Sequence, residues 1–215
     1  KGDMTGERLL RPTAASADGR HLVLTSGTVG GAQVVDPWSG EVMERYAAGF
    51  PYEAVRVGAD LAVVDLMAGG VVWAVTGESI LPMDDEQVFL PVGLATDGKR
   101  LWVSDWATGL VWQLVFDGFQ GSQAAPIASE LANPEGLAFD GQGGLLVVES
   151  GAGRLSRIDL ATGRVEEIAA GLELGLPAIA GIPPAYLPNG VAIDASGAIY
   201  VTGDVGNVLY RITKR

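Results

Sequence analysis

Short apolar runs punctuated by turn residues organise this chain, with no helical period between them. The pattern is clearest over 133–157, NPEGLAFDGQGGLLVVESGAGRLSR. A turn with a proline leads into an apolar run, a D-G-x-G-G turn, a second apolar run ending in an acid, a Gly-rich turn and a third run. Runs this short joined by tight turns predict an antiparallel meander, whose apolar faces must pack against something. The same order recurs over 187–213, LPNGVAIDASGAIYVTGDVGNVLYRIT, and over 90–116, LPVGLATDGKRLWVSDWATGLVWQLVF. Repetition at this length is the first fact about the fold.

Prolines 12, 51, 91, 134 and 188 open five repeats, spaced 39, 40, 43 and 54 residues apart. The repeats run over about 12–49, 51–88, 91–131, 134–170 and 188–215. In DPWSGEVMERY from Asp36 and DLATGRVEEI from Asp159, a turn enters a run of mixed polarity, which predicts a fourth, outermost strand guarded by charge. Four strands per ~40 residues predict one all-β domain over 1–215, a β-propeller of four-stranded antiparallel blades. Residues 1–10 carry only an outer strand, and the last repeat stops after its third. Strand 6–10 is therefore expected to complete the last blade beside 208–212 and close a five-bladed ring; the alternative is five blades of a six-bladed ring. The long last spacing reflects 171–186, GLELGLPAIAGIPPAY, whose prolines and glycines predict an apolar loop rather than a helix.

Composition narrows the partners. The 215 residues are 48% hydrophobic and 19% charged, a balance that builds a core rather than a disordered chain. A net charge of −12 counts against a nucleic-acid partner, which clustered Lys and Arg would attract, and leaves small molecules, cations or a protein. No apolar run is long enough for a membrane span. The absence of cysteine removes disulfides, thiolate metal sites and Cys nucleophiles together. Lys1 in place of Met predicts a processed product or a piece of a longer chain; the compartment stays open, with export or the periplasm preferred to the cytoplasm.

The P-x-G-[LV]-A-x-D pattern with a strand ending in an acid is carried by PVGLATDGKRLWVSD (91–105), PEGLAFDGQGGLLVVES (134–150) and PNGVAIDASGAIYVTGD (188–204). It resembles NHL repeats, and more closely the repeats of the SMP-30/gluconolactonase/LRE-like propellers. In enzymes of that family three groups hold a divalent cation on the channel axis: an acid of an E-G-P turn, an Asn of an N-G turn and an Asp of a P-D-G turn. The resemblance places Glu135 at the third position with one extra methylene. Val92 stands where the Asn is expected, no E-G-P occurs, and Asn189 forms a P-N-G turn in the last repeat. The resemblance thus implies the fold more fully than the reaction.

Equivalent positions of a propeller lie in rings, so residues distant in sequence can meet. The residue after each proline gives Thr13, Tyr52, Val92, Glu135 and Asn189. Glu135 and Asn189, in adjacent repeats, are candidate ligands for Ca²⁺ or another divalent cation; both also suit ordinary turns. The residue ending each second strand gives Ser26, Asp65, Asp105, Glu149 and Gly203, the last followed by Asp204. These acids either line one channel face, with a cation or basic group among them, or accept backbone N–H groups of the following turn. The single His21 follows a turn and is expected to be exposed, so a hydrolytic triad has no base to spare. Hydrolysis would need metal-activated water with Glu135, Glu149 or Asp105 as base. Trp73 and Trp112 suit inter-blade core and Trp38 a turn. Trp106 is the candidate ligand platform, with Tyr52 and Asp204 completing the face.

Two functions follow. The first is a binding propeller whose acidic channel face and 171–186 loop engage a ligand, cation or protein. The second is a metal-dependent lactonase or esterase resembling gluconolactonase. Neither requires an organic cofactor.

Overall fold

Turn chemistry lays out the strands. In four of the five repeats an Asp follows the first strand and accepts the backbone N–H groups two and three or four residues on: Asp18 from Arg20 and His21, Asp97 from Lys99 and Arg100, Asp140 from Gln142 and Gly144, Asp194 from Ser196 and Ala198. Such Asx turns reverse the chain within a few residues, and Gly98 and Gly197 supply the positive φ (86° and 81°) that closes two of them.

The computed structural model describes residues 12–27, 30–84, 87–116, 122–177 and 187–213. It divides into two compact units, residues 1–84 and 85–215. The first holds two meander sheets. One runs β1 (Pro12–Ala17), β2 (Leu22–Ser26), β3 (Gly31–Val35), β4 (Val42–Ala47); the other runs β5 (Pro51–Val57), β6 (Asp60–Asp65), β7 (Gly70–Trp73), β8 (Ser79–Pro82). The second unit holds three. They are β9 (Pro91–Thr96), β10 (Arg100–Asp105), β11 (Leu110–Phe116), β12 (Ser122–Ala128); then β13 (Pro134–Phe139), β14 (Gly144–Glu149), β15 (Arg154–Asp159), β16 (Val165–Ala170); then β17 (Val191–Ile193), β18 (Ile199–Gly203), β19 (Val208–Ile212). Every pairing is antiparallel, and four of the five opening prolines are the first residue of a strand. The one helical turn among the described residues is a 3₁₀ turn at Ser150–Ala152, and no described helix is long and apolar enough to cross a membrane. The last sheet shows three strands; the fourth strand expected from 6–10 lies outside the described residues.

The second strands β6, β10 and β14 are buried on both faces, which explains why they read as nearly unbroken apolar runs. In β14, Leu145 and Val147 pack with Trp102, Leu137 and Phe139 between the third and fourth sheets. Leu146 and Val148 point the other way, to Val191, Ile193 and Val201 of the fifth. In the first unit Val23, Val34, Leu61 and Val63 fill the equivalent space. Each such side chain contributes about 1.5–3 kcal/mol. The fourth strand β4 alternates half-buried and exposed, because only one neighbour covers it.

Candidate functional site

A local slip positions the residue after each opening proline. In β1, β5, β9 and β13 the register with the second strand shifts at that residue, so Glu135 falls in the gap between the pairs Pro134–Glu149 and Leu137–Val147. A bulge of this kind re-aims a side chain out of the ladder. The following glycine then permits close approach of the next first strand. A Cβ on Gly93 would stand 2.1 Å from the Glu135 carbonyl oxygen, and one on Gly136 2.5 Å from that of Asn189. Instead the Gly136 N–H donates to the Asn189 carbonyl at 2.9 Å. The P-x-G motif is therefore the contact by which first strands meet.

Glu135 is buried, and the structure brings it together with Asn189. Its Oε2 accepts the Asn189 backbone N–H at 2.7 Å and the Asn189 Nδ2–H at 2.8 Å. Asn189 Oδ1 in turn accepts the Asp204 N–H at 2.9 Å, and the Asp204 carboxylate accepts the N–H groups of Gly175 and Leu176 at 2.9 and 2.8 Å. A relay thus runs from β13 to residues 175–176. Burial pushes the Glu135 carboxyl above its ordinary pKa. The donors of Asn189 and Ser150 oppose that only in part, and the negative Asp204 adds to it. The backbone bond at Oδ1 fixes the amide so that Asn189 turns a donor, not an oxygen, towards Glu135. Val92, also buried, adds no polar atom. As arranged, these residues do not fit the divalent cation expected to bridge Glu135 and Asn189.

The acids that end the second strands cap backbone. The Asp105 carboxylate, fully buried, accepts four N–H groups, from Phe89 (2.6 Å), Leu90, Ala107 and Thr108 (3.1–3.2 Å). In the first unit Asp65 does the same for Gly49, Phe50, Met67 and Ala68. Each Asp thereby ties the turn that follows it to the segment entering its own sheet. Glu149, one methylene longer, reaches only the Ala132 N–H and completes its shell with Arg154 Nε at 2.8 Å and the Ser156 hydroxyl. Its burial would raise its pKa, but Arg154, Ala132 and Ser156 outweigh that and hold it low. Asp204 caps only the entering segment. The expected solvated ring of acids sharing an ion is thus replaced, at Asp65, Asp105 and Glu149, by the alternative of hydrogen bonds within each repeat. Their oxygens are occupied where a general base would need a free one. Among the described residues, no three His, Asp or Glu side chains gather closely enough to hold a metal ion.

The remaining candidates separate. Tyr52 is wholly buried, edge-on to Phe50 at 5.8 Å, and so is core rather than face. Trp106 is half-buried; its backbone N–H donates to Leu90, and its carbonyl accepts Asn133 Nδ2. Trp38 is exposed and Trp112 buried, as expected, whereas Trp73 is only half-buried. His21 is half-buried rather than exposed, 3.4 Å from Asp18. Sequence reasoning passed over the hydroxyl one place before the strand end. Ser104 accepts the Gly93 N–H and donates to the Glu135 carbonyl, while Thr25 links Ala14 to the Tyr52 carbonyl in the same way. The adjacent pairs Thr25–Ser26, Ser104–Asp105 and Thr202–Gly203 were the available signal.

At the same end of the second unit a cavity of about 490 Å³ opens beside Asn189 and Asp204, walled by Leu176, Leu187, Val205 and Val208. All four are exposed, as is Phe89 at the entry to the third sheet.

No protein-family model matches the chain, and no curated protein matches it in sequence. Solved structures match its fold. A chain of a nidogen–laminin complex superposes with a TM-score of 0.70 at 17% identity, over 93% of this chain and 74% of that one. Virginiamycin B lyase from Staphylococcus aureus gives 0.62 at 11%, over 95% and 70%. A gluconolactonase from Xanthomonas campestris gives 0.61 at 16%, over 89% and 69%. Identities this low show the fold alone. It is the expected all-β propeller, with the five sheets as blades.

Proposed function

We propose that this propeller is a binding scaffold, and that its second unit engages an apolar ligand or protein partner at the end of its sheets where second strands finish. The observation that carries this reading is the commitment of Asp105 and Glu149 to the chain's own donors. Acids built into the turns brace that end without offering a reactive oxygen. What the end presents instead is exposed apolar surface: Leu176, Leu187 and Val205 around the cavity beside Asp204, and Phe89 at the entry to the third sheet. Apolar area with a charged rim is what interaction sites expose. A partner with basic groups also suits the net charge of −12.

A metal-dependent lactone or ester hydrolase is the second reading. Glu135 favours it: a buried carboxyl with a raised pKa, beside Asn189, in a bulge of a first strand. That reading requires Asn189 to release its amide from Glu135 and turn an oxygen to a cation such as Ca²⁺. One experiment separates the two. Thermal unfolding of the parent and of Glu135→Gln is followed with and without Ca²⁺, beside a lactone panel with and without chelator. The scaffold reading expects no Ca²⁺ effect that depends on Glu135 and no chelator-sensitive turnover. Chelator-sensitive hydrolysis lost in Glu135→Gln would overturn it. Positively, Leu187→Asp with Val205→Asp should abolish binding of a partner identified by affinity capture and confirmed with purified components.

A further inference from the structure

Two neighbouring inter-sheet spaces in the second unit are built from equivalent residues but filled differently. Between the third and fourth sheets, Trp102 of β10 stacks on Phe139 of β13, ring centroids 5.4 Å apart and planes 21° from parallel. Arg100 lies over the indole at 4.9 Å, and the indole N–H donates to Gln113 at 3.0 Å. Stepping one repeat along, Trp102 becomes Leu146, three residues before the strand-end acid as Trp102 is. Phe139 becomes Ile193, the fifth residue after the opening proline in both repeats. Leu146 and Ile193 do face one another across the fourth and fifth sheets. Both replacements are smaller and neither is flat. There a cavity of about 550 Å³ opens, walled by Leu146, Ile193, Ile199 and Ile212.

We propose that this slot binds a small, uncharged planar aromatic molecule of about indole size. Three features define that chemistry. Two sides of the slot are aliphatic, from Leu146, Ile193, Ile199 and Ile212 on paired β-strands, so those sides are preformed and cost little to organise; the turns that carry Asp140, Gln142 and Ser196 rim it with polar groups. Its equivalent one repeat earlier is filled by an aromatic pair from the chain itself, so the spacing of these sheets admits flat rings. Facing aliphatic side chains take up the two faces of a flat ring, and the polar rim leaves room for a ring N–H such as that of indole. At the mouth, Arg157 Nε pairs with Asp140 at 2.7 Å, and its Nη1 lies 3.9 Å from Glu166. Among the described residues at the mouth Arg157 is the one cation, and two carboxylates answer it, which disfavours an anionic ligand. The slot lies at the Asx-turn end of the sheets, opposite the face proposed above, and stands independently of it.

The test is titration of the full chain with indole, followed by calorimetry and by NOEs from the ring to protein methyl groups. A single saturable site with Kd of about 1 mM is expected for a ligand this small. The NOEs should reach the methyls of Leu146, Ile193 and Ile199, and indole-3-acetate should bind several-fold more weakly. Leu146→Trp with Ile193→Phe, which rebuilds the aromatic stack, should lower indole affinity at least tenfold while unfolding stays cooperative. Ile193→Phe alone serves should the double variant fail to fold. No saturable binding to the parent, NOEs to other methyls, or unchanged affinity in a folded, slot-filled variant would each overturn the proposal.

Discussion

Replacing Asp105 by Asn tests most directly whether the strand-end acids brace the fold. The carboxylate has no solvent exposure, and its two oxygens divide four backbone donors: Oδ2 takes Phe89, and Oδ1 takes Leu90, Ala107 and Thr108. Asn keeps one oxygen, which the three donors will claim. Its NH₂ then meets the Phe89 N–H, donor against donor. The loss comprises one short charge-assisted bond at 2.6 Å, the charge assistance of the other three and one buried unsatisfied donor. Together these cost about 2–4 kcal/mol, or about 5–15 °C in melting temperature for a chain of this size. Thermal and urea unfolding of Asp105→Asn, with the exposed-acid control Glu78→Gln, measure the loss. Hydrogen exchange locates it, with faster exchange expected at Phe89, Leu90, Ala107 and Thr108. Stability within about 0.5 kcal/mol of the parent, with those amides still protected, would refute the capping reading.

Glu135→Gln should become progressively stabilising, relative to the parent, as pH rises. A carboxyl whose folded pKa is raised favours the folded state while protonated, and that contribution is lost as pH climbs from the unfolded pKa through the folded one; melting from pH 4 to pH 8 checks it. Arg154→Met should cost about 3–5 kcal/mol at neutral pH, because it strands the buried Glu149 charge, and the loss should shrink in acid where Glu149 is protonated. Gly136→Ala should cost about 1–3 kcal/mol in urea unfolding, since its new methyl would meet the Asn189 carbonyl; a neutral result would contradict the close approach of β13 and β17.

Strand order, the turns and four of the five repeat starts were legible in the residues themselves, because they depend on local chemistry. Proline opens a strand wherever its missing N–H is harmless, Asp folds its carboxylate onto the next few amides, and a two-sided burial writes an unbroken apolar run. The rings of equivalent positions were legible too, since a repeat makes equivalence a matter of counting. The partner each ring residue chooses was decided in three dimensions. Asp105 reads as an acid at a strand end, yet half of its donors, Phe89 and Leu90, arrive on the segment that enters its sheet some fifteen residues earlier. Glu135 and Asn189 were expected to meet and do. Whether Asn189 presents nitrogen or oxygen was fixed by the Asp204 N–H behind it, a constraint with no trace in a P-N-G motif. Likewise Trp102, Phe139, Leu146 and Ile193 are all apolar in sequence. Only stacking the sheets shows that two of them fill a space and the other two leave one open. Composition specifies that a face is buried; the shape and hydrogen-bond polarity of what meets it belong to the tertiary structure.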